Sequence, residues 1–119
     1  MDTSFTLTRI YTDPQGESHF EDVKVPLAPA GIIGTLSEKQ EVSALVFREN
    51  EPGYDWDFHH APRRQYIVLL DGIIEIEVSD GEKRQFHGGE VLLVEDTWGT
   101  GHRTRQLTDT ARRSLFIHL

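Results

Sequence analysis

Gly53-Tyr-Asp-Trp-Asp-Phe-His-His-Ala-Pro-Arg-Arg-Gln-Tyr-Ile-Val-Leu-Leu-Asp-Gly72 sets a polar, aromatic run directly against an apolar one. The apolar half, Gln65–Leu70, is short and is closed by the turn pair Asp71-Gly72, the pattern of a β-strand. Beyond the turn, Ile73-Ile-Glu-Ile-Glu-Val78 alternates in part. Glu75 and Glu77 fall on one face and Ile74, Ile76 and Val78 on the other, so one side is wet and the other packed. Ile67-Val-Leu-Leu70 and Val91-Leu-Leu-Val94 are continuous apolar runs, which implies burial on both faces, one of them available for a subunit contact.

The same punctuation extends along the chain. Asp13-Pro-Gln-Gly16, Glu51-Pro-Gly53, Asp80-Gly81, Gly88-Gly89 and Gly99-Thr-Gly101 separate short β-branched and aromatic runs. They predict strands at Phe5–Tyr11, His19–Val25, Ile32–Thr35, Val42–Arg48, Gln65–Leu70, Ile73–Val78, Arg84–Phe86, Val91–Glu95, Arg103–Leu107 and Ser114–Ile117. The fold class is therefore all-β, a compact sandwich or barrel. The best helical candidate, Leu36 to Val42, is short and runs into β-branched sequence, and Leu27-Ala-Pro-Ala-Gly31 is the most loop-like segment. With 119 residues the expectation is one domain, 1–119.

Composition narrows the function classes. Twenty acidic against twelve basic side chains give a formal charge of −8, which disfavours nucleic acid and anionic membrane surfaces as partners. There is no cysteine, so a disulfide framework and a thiolate site are both excluded, and a metal would need His, carboxylate, amide or water ligands. The segment Met-Asp-Thr-Ser-Phe-Thr carries no basic run, and no window reaches the roughly 18 apolar residues of a membrane span; the expectation is a cytoplasmic protein. No glycine-rich phosphate loop and no nucleophile elbow occurs.

Chemistry-bearing residues gather in two stretches. Trp56 to Gln65 holds His59, His60, Arg63, Arg64 and Gln65; Glu95 to Arg105 holds Asp96, Trp98 and His102. Neighbours on a strand face opposite ways, so only one of His59 and His60 can face a given cavity. A straight strand would hold His59 and Gln65 roughly 20 Å apart. They meet only if the chain bends, and Ala61-Pro62-Arg63 supplies the bend.

This layout resembles the cupin superfamily. Its first motif places Gly, five residues, His-x-His, three or four residues, Glu, six residues and Gly. Here Gly53, His59, Gln65 and Gly72 keep every interval, with Ala61 in place of the second His and Gln65 in place of Glu. Of the second motif, Gly89 and the apolar run remain, Glu95-Asp96-Thr97 stands where Pro-x-Gly belongs, and His102 comes two positions late. The resemblance spans about residues 53–105 and implies a double-stranded β-helix or jelly-roll barrel, often a homodimer. It further implies a divalent transition metal (Fe, Mn, Ni or Zn) on His59, Gln65 and His102. Arg63, Trp56, Phe58 and Trp98 would line a pocket for a small organic acid or other oxygen-bearing metabolite, and Glu95 and Asp96 are candidate acid/base residues. Dioxygenase or isomerase chemistry follows if the metal is held. The alternative is a metal-free, non-catalytic barrel acting as a metabolite-binding or interaction module.

Simpler roles stand beside these. Aromatic residues of β proteins fill cores, Glu95 and Asp96 suit loop ion pairs, and Arg63-Arg64 and Arg112-Arg113 read as solvated or acid-paired runs. His60 and His19 read as surface residues, and His87 and His118 have no spacing argument.

Overall fold

A computed structural model describes residues 4–119. Turn chemistry and alternation place the strands β1 (Ser4–Thr12), β2 (Ser18–Pro26), β3 (Ala28–Pro29), β4 (Thr35–Leu36), β5 (Ala44–Asn50) and β6 (Asp55–His59) in the first half. The second half contributes β7 (Gln65–Leu69), β8 (Ile73–Val78), β9 (Lys83–His87), β10 (Val91–Val94), β11 (His102–Gln106) and β12 (Arg112–His118). A six-stranded sheet runs β2-β1-β10-β7-β12-β5 and a four-stranded sheet runs β6-β11-β8-β9. All pairings are antiparallel except that of β1 with β10. The result is the expected jelly-roll sandwich. Its core joins Ile10, Leu69, Leu92 and Val94 of one sheet to Ile74, Ile76, Val78 and Phe86 of the other. The alternation read in β8 holds, with Ile74, Ile76 and Val78 buried and the two glutamates half-buried.

Two local expectations need correction. Ile32–Thr35 is not a strand. Gly31 and Gly34 sit at φ 71° and 101°, conformations that interrupt a ladder, and Gly34 N–H closes a 3-10 turn over Gly31–Ile33 by donating to the Gly31 carbonyl. The loop-like segment around Ala28 instead forms a two-residue ladder with Thr35–Leu36. Conversely, Asp55–His59 is a strand the expected set lacks, the edge of the four-stranded sheet.

His19 is more than a surface residue. The Asp13 carboxylate caps its own turn by accepting from the N–H groups of Gln15 and Glu17, and its other oxygen lies 2.6 Å from His19 Nε2. Asp80, in the β8–β9 turn, lies 2.7 Å from Nδ1. The imidazolium thus donates from both nitrogens and ties the β1–β2 hairpin to the opposite sheet. Asp13 and then Asp80 raise the His19 pKa above its usual 6.5, and the His19 hydrogen bond lowers that of Asp13 below 3.8. A raised histidine pKa gives stability that is complete below pH 6.5 and lost as pH rises through the folded-state value; a lowered aspartate pKa gives stability lost in acid. The clamp therefore acts most strongly between about pH 4 and 6.5. Thermal melts at pH 5.5 and 8.5 should show a wild-type advantage over His19→Gln that shrinks at the higher pH; an equal difference at both would remove the clamp from the account.

Candidate functional site

Between the sheets lies a cavity of about 320 Å³. Its apolar wall is the inner face of both sheets, Ile67, Leu69, Leu92 and Val94 opposite Ile74 and Ile76, with Phe116 beside them. Its polar lining comes from strand ends, where alternation aims a side chain inward.

β6 supplies His59 and Trp56, three positions apart, which an unbroken strand would send to opposite faces. The register explains their company: His102 pairs with His59 and Thr104 with Trp56, two steps on β11 against three on β6. The extra residue makes a bulge at Asp57-Phe58 and restores the parity. Trp56 and His59 stack at 3.7 Å and 9°, and His59 Nδ1–H donates to the Asp57 carbonyl at 2.8 Å. Burial, reinforced by nearby His102, lowers the His59 pKa, so the ring is neutral at neutral pH and presents Nε2 as an acceptor. His60 is exposed, which settles which of the adjacent histidines faces inward.

His102 stands 4.9 Å from His59, centroid to centroid. Its Nδ1–H donates to the wholly buried Asp96 carboxylate at 2.6 Å, an arrangement that fixes the ring and leaves Nε2 open. Ala61 N–H donates to the Asp96 carbonyl, so the bend after β6 is anchored to the same residue. That bend brings Gln65, 5% exposed, to the cavity with His59 and His102. The three expected ligands thus line one space. Ala61, in place of the motif's second His, lines it too with only a methyl group.

Other expected residues divide. Trp56 and Arg63 line the cavity, whereas Phe58 and Trp98 do not. The bulge turns Phe58 outward, and the Trp98 ring lies over Gly16, 3.6 Å from where a Cβ would stand. Glu95 is held by Arg9 and Arg64, which keep its carboxyl below the usual range against the opposing effect of burial; it does not line the cavity. Asp96 lies behind His102 and acts on the ring.

Among the lining residues that the sequence did not announce are Arg48, Arg112 and His118. Arg112 is not a solvated charge but 5% exposed, donating from Nε to Gln106 Oε1 at 3.0 Å. Its guanidinium lies 5.6 Å over the Tyr54 ring, and that of Arg48 lies 5.4 Å from Tyr54 and 5.0 Å from Phe116. Burial, and then Arg48, lower the Arg112 pKa from its ordinary 12.5. In each Arg-Arg pair one member lines the cavity, Arg63 from an exposed bend at its mouth and Arg112 from within β12, while its neighbour is ion-paired, Arg64 to Glu95 and Arg113 to Glu49. For Arg112, strand alternation was the available signal.

Gly101 sets how closely β11 meets β6. At φ 79°, a Cβ there would fall 1.9 Å from the His59 carbonyl oxygen. Gly101→Ala is expected to cost more than about 2 kcal/mol in denaturant unfolding; a cost below 0.5 kcal/mol, within the usual range of about ±0.5 for surface changes, would mean the contact relaxes freely.

No protein-family model matches the sequence, and no curated protein matches it. Solved structures do. The cupin domain of Schizosaccharomyces pombe Cnp3 is similar at TM-score 0.54 and 14% identity, covering 99% of this chain and 84% of its own. A cupin domain from Bordetella pertussis covers 99% and 96% at TM-score 0.48 and 13% identity. The Drosophila melanogaster CENP-C cupin domain covers 76% and 73% at 0.47 and 12%. Identities this low speak to architecture alone, and with the Cnp3 domain matching along nearly the whole sandwich, the chain has the cupin fold.

Proposed function

We propose that this chain binds a small organic anion in the cavity between its sheets, without a resident metal ion. One observation carries the reading. Arg9, Arg64, Arg84, Arg103, Arg105 and Arg113 each form an ion pair with a carboxylate. The remaining arginines, Arg48, Arg63 and Arg112, have no such partner among the described residues, and all three line the cavity, as do His59, His102 and His118. Among the described residues, no Asp or Glu lines it. In a chain of net charge −8, guanidiniums without an ion-paired carboxylate at one concave site await an anion from outside.

The volume lies near the lower end of the ordinary ligand-pocket range, which suits a small metabolite. The apolar wall suits a carboxylate head carrying a hydrocarbon or planar body. Arg48 and Arg112, steadied on Tyr54 and Phe116, offer fork-shaped donor sets to the head, and Arg63 reaches it from the mouth. Among the described residues, His59 Nε2, His102 Nε2 and the Gln65 side-chain amide have no hydrogen-bond partner, so the two nitrogens can accept from a ligand hydroxyl and the amide can give or take a bond.

The donor set suits a resident divalent ion poorly. His59, Gln65 and His102 are neutral ligands, Ala61 contributes none, and the ion would face three guanidiniums with no lining carboxylate to offset them. Among the described residues, no group of three or more His, Cys, Asp or Glu side chains is placed to hold an ion.

Melting in the presence of small carboxylates, each beside its uncharged amide, tests the anion reading. A cognate acid at a hundredfold excess over its Kd is expected to stabilise by about 2.7 kcal/mol. Arg48→Met and Arg112→Met should each weaken binding at least about tenfold. Equal stabilisation by acid and amide would overturn the reading. Metal analysis of protein purified without chelator should give far less than one ion per chain, unchanged in a His59→Ala/His102→Ala variant; a stoichiometric ion lost in that variant would restore the metal-dependent alternative.

A further inference from the structure

The side chains that line the cavity stand in three levels along the strands. Inward residues recur at every second position, roughly 7 Å apart, and the ladders fix which of them stand side by side. At one end Gln65 pairs with Val94 and His118, and His59 pairs with His102. The Ala61–Asp96 hydrogen bond, in the bend between His59 and Gln65, holds these two sets at one level. In the middle Ile67 pairs with Leu92 and Phe116, and across the cavity Ile76 pairs with Thr104. At the far end Leu69 pairs with Ser114, and Ser114 with Arg48. Across from them Ile74 pairs with Gln106, which accepts from Arg112 and donates its backbone N–H to the Tyr54 carbonyl.

The levels differ in chemistry. The near end offers acceptors, because His59 and His102 spend Nδ1–H on Asp57 and Asp96 and leave Nε2 open. The far end offers the guanidiniums of Arg48 and Arg112, which can only donate. Apart from Thr104, the level between them is hydrocarbon. From Gln65 to Leu69 is four residues, roughly 13 Å of strand. Arg48 leans toward the middle level, with its guanidinium 5.0 Å from the Phe116 ring, and Phe116 stands two residues, roughly 7 Å, from the Gln65 level. An extended chain gains roughly 1.2 Å per bond, since three backbone bonds span one residue. About six bonds therefore bridge the shorter distance.

We infer that the ligand is a monocarboxylic acid with a hydroxyl at the opposite end of a hydrocarbon chain, its carboxylate on Arg48 and Arg112 and its hydroxyl on His59 and His102. This rests on the anion-binding reading and adds the second group and its distance from the first. A second carboxylate brings no proton for the open imidazole nitrogens. An ammonium would meet no lining carboxylate among the described residues and would share the cavity with three guanidiniums. An α-hydroxy acid is too short between its two groups to engage both ends.

Calorimetric titration of the full chain with hexanoate, hexanamide and the α-hydroxy, ω-hydroxy, ω-amino and ω-carboxy derivatives of hexanoate tests this. The ω-hydroxy acid is expected to bind at least about tenfold more tightly than hexanoate, and the α-hydroxy isomer no more tightly than hexanoate. His59→Phe should bring the ω-hydroxy acid to within about twofold of hexanoate, with Gln65→Leu as the second variant should the first fail to fold. Arg112→Met should weaken both acids by the same factor. Hexanoate binding no better than hexanamide would remove the anion reading and this ligand with it. Acids preferred over the amide, but with the two hydroxy isomers equal or the amino or dicarboxylic derivative tightest, would overturn the ligand assignment alone, as would an ω-hydroxy acid that does not bind.

Discussion

Side chains alternate along a paired strand, and in β12 that constraint organises the molecule. Arg112, Phe116 and His118 turn into the cavity while Arg113, Leu115 and Ile117 turn out. Since β12 lies between β7 and β5, its register carries the same division to both neighbours, including Arg48 on β5 and Gln65 on β7. A slip of one residue would put Arg112 in water and Leu115 in the cavity. The ladders linking β12 to β7 and β5 are thus as necessary to the cavity as any lining side chain.

Much of this was legible in the chain. The turn pairs bounded most of the strands, and β8 announced its faces through Glu75 and Glu77. The motif intervals brought His59, Gln65 and His102 to one space although two ligand types had changed. Other features depended on events that a local pattern does not record. The bulge at Asp57-Phe58 breaks the two-residue period, and it both hid β6 as a strand and reversed the parity of Phe58 relative to Trp56. Arg48, Arg112 and His118 become cavity residues only through long-range pairing, and an Arg-Arg pair reads as surface charge until its strand is given two faces.

Two polar groups at and behind the cavity run against stability. Burying Arg112 without a carboxylate, and leaving Asp96 Oδ1 buried without a hydrogen-bond partner, each runs against the usual satisfaction of interior polar groups. Partial compensation is visible. Gln106 accepts from Arg112 and itself donates to the carbonyl of Thr110, while Tyr54 offers its ring face to the cation. Polar groups held this way keep a fixed direction and are already partly desolvated.

The pairing of β1 with β10 has a consequence for how the sheet comes into being. Thr8 pairs with Leu92, and Phe47 with Leu115, so two of the five ladders of the six-stranded sheet join early sequence to late sequence. Loop-closure entropy must be met before such contacts repay it, which makes topologies of this kind slow to fold. On a ribosome the β1–β2 hairpin can form at once, but its inner partner is absent until β10 has been synthesised, and β5 likewise waits for β12. The apolar segments of the first half are therefore exposed through most of synthesis, a period in which the excess of acidic side chains keeps nascent chains apart.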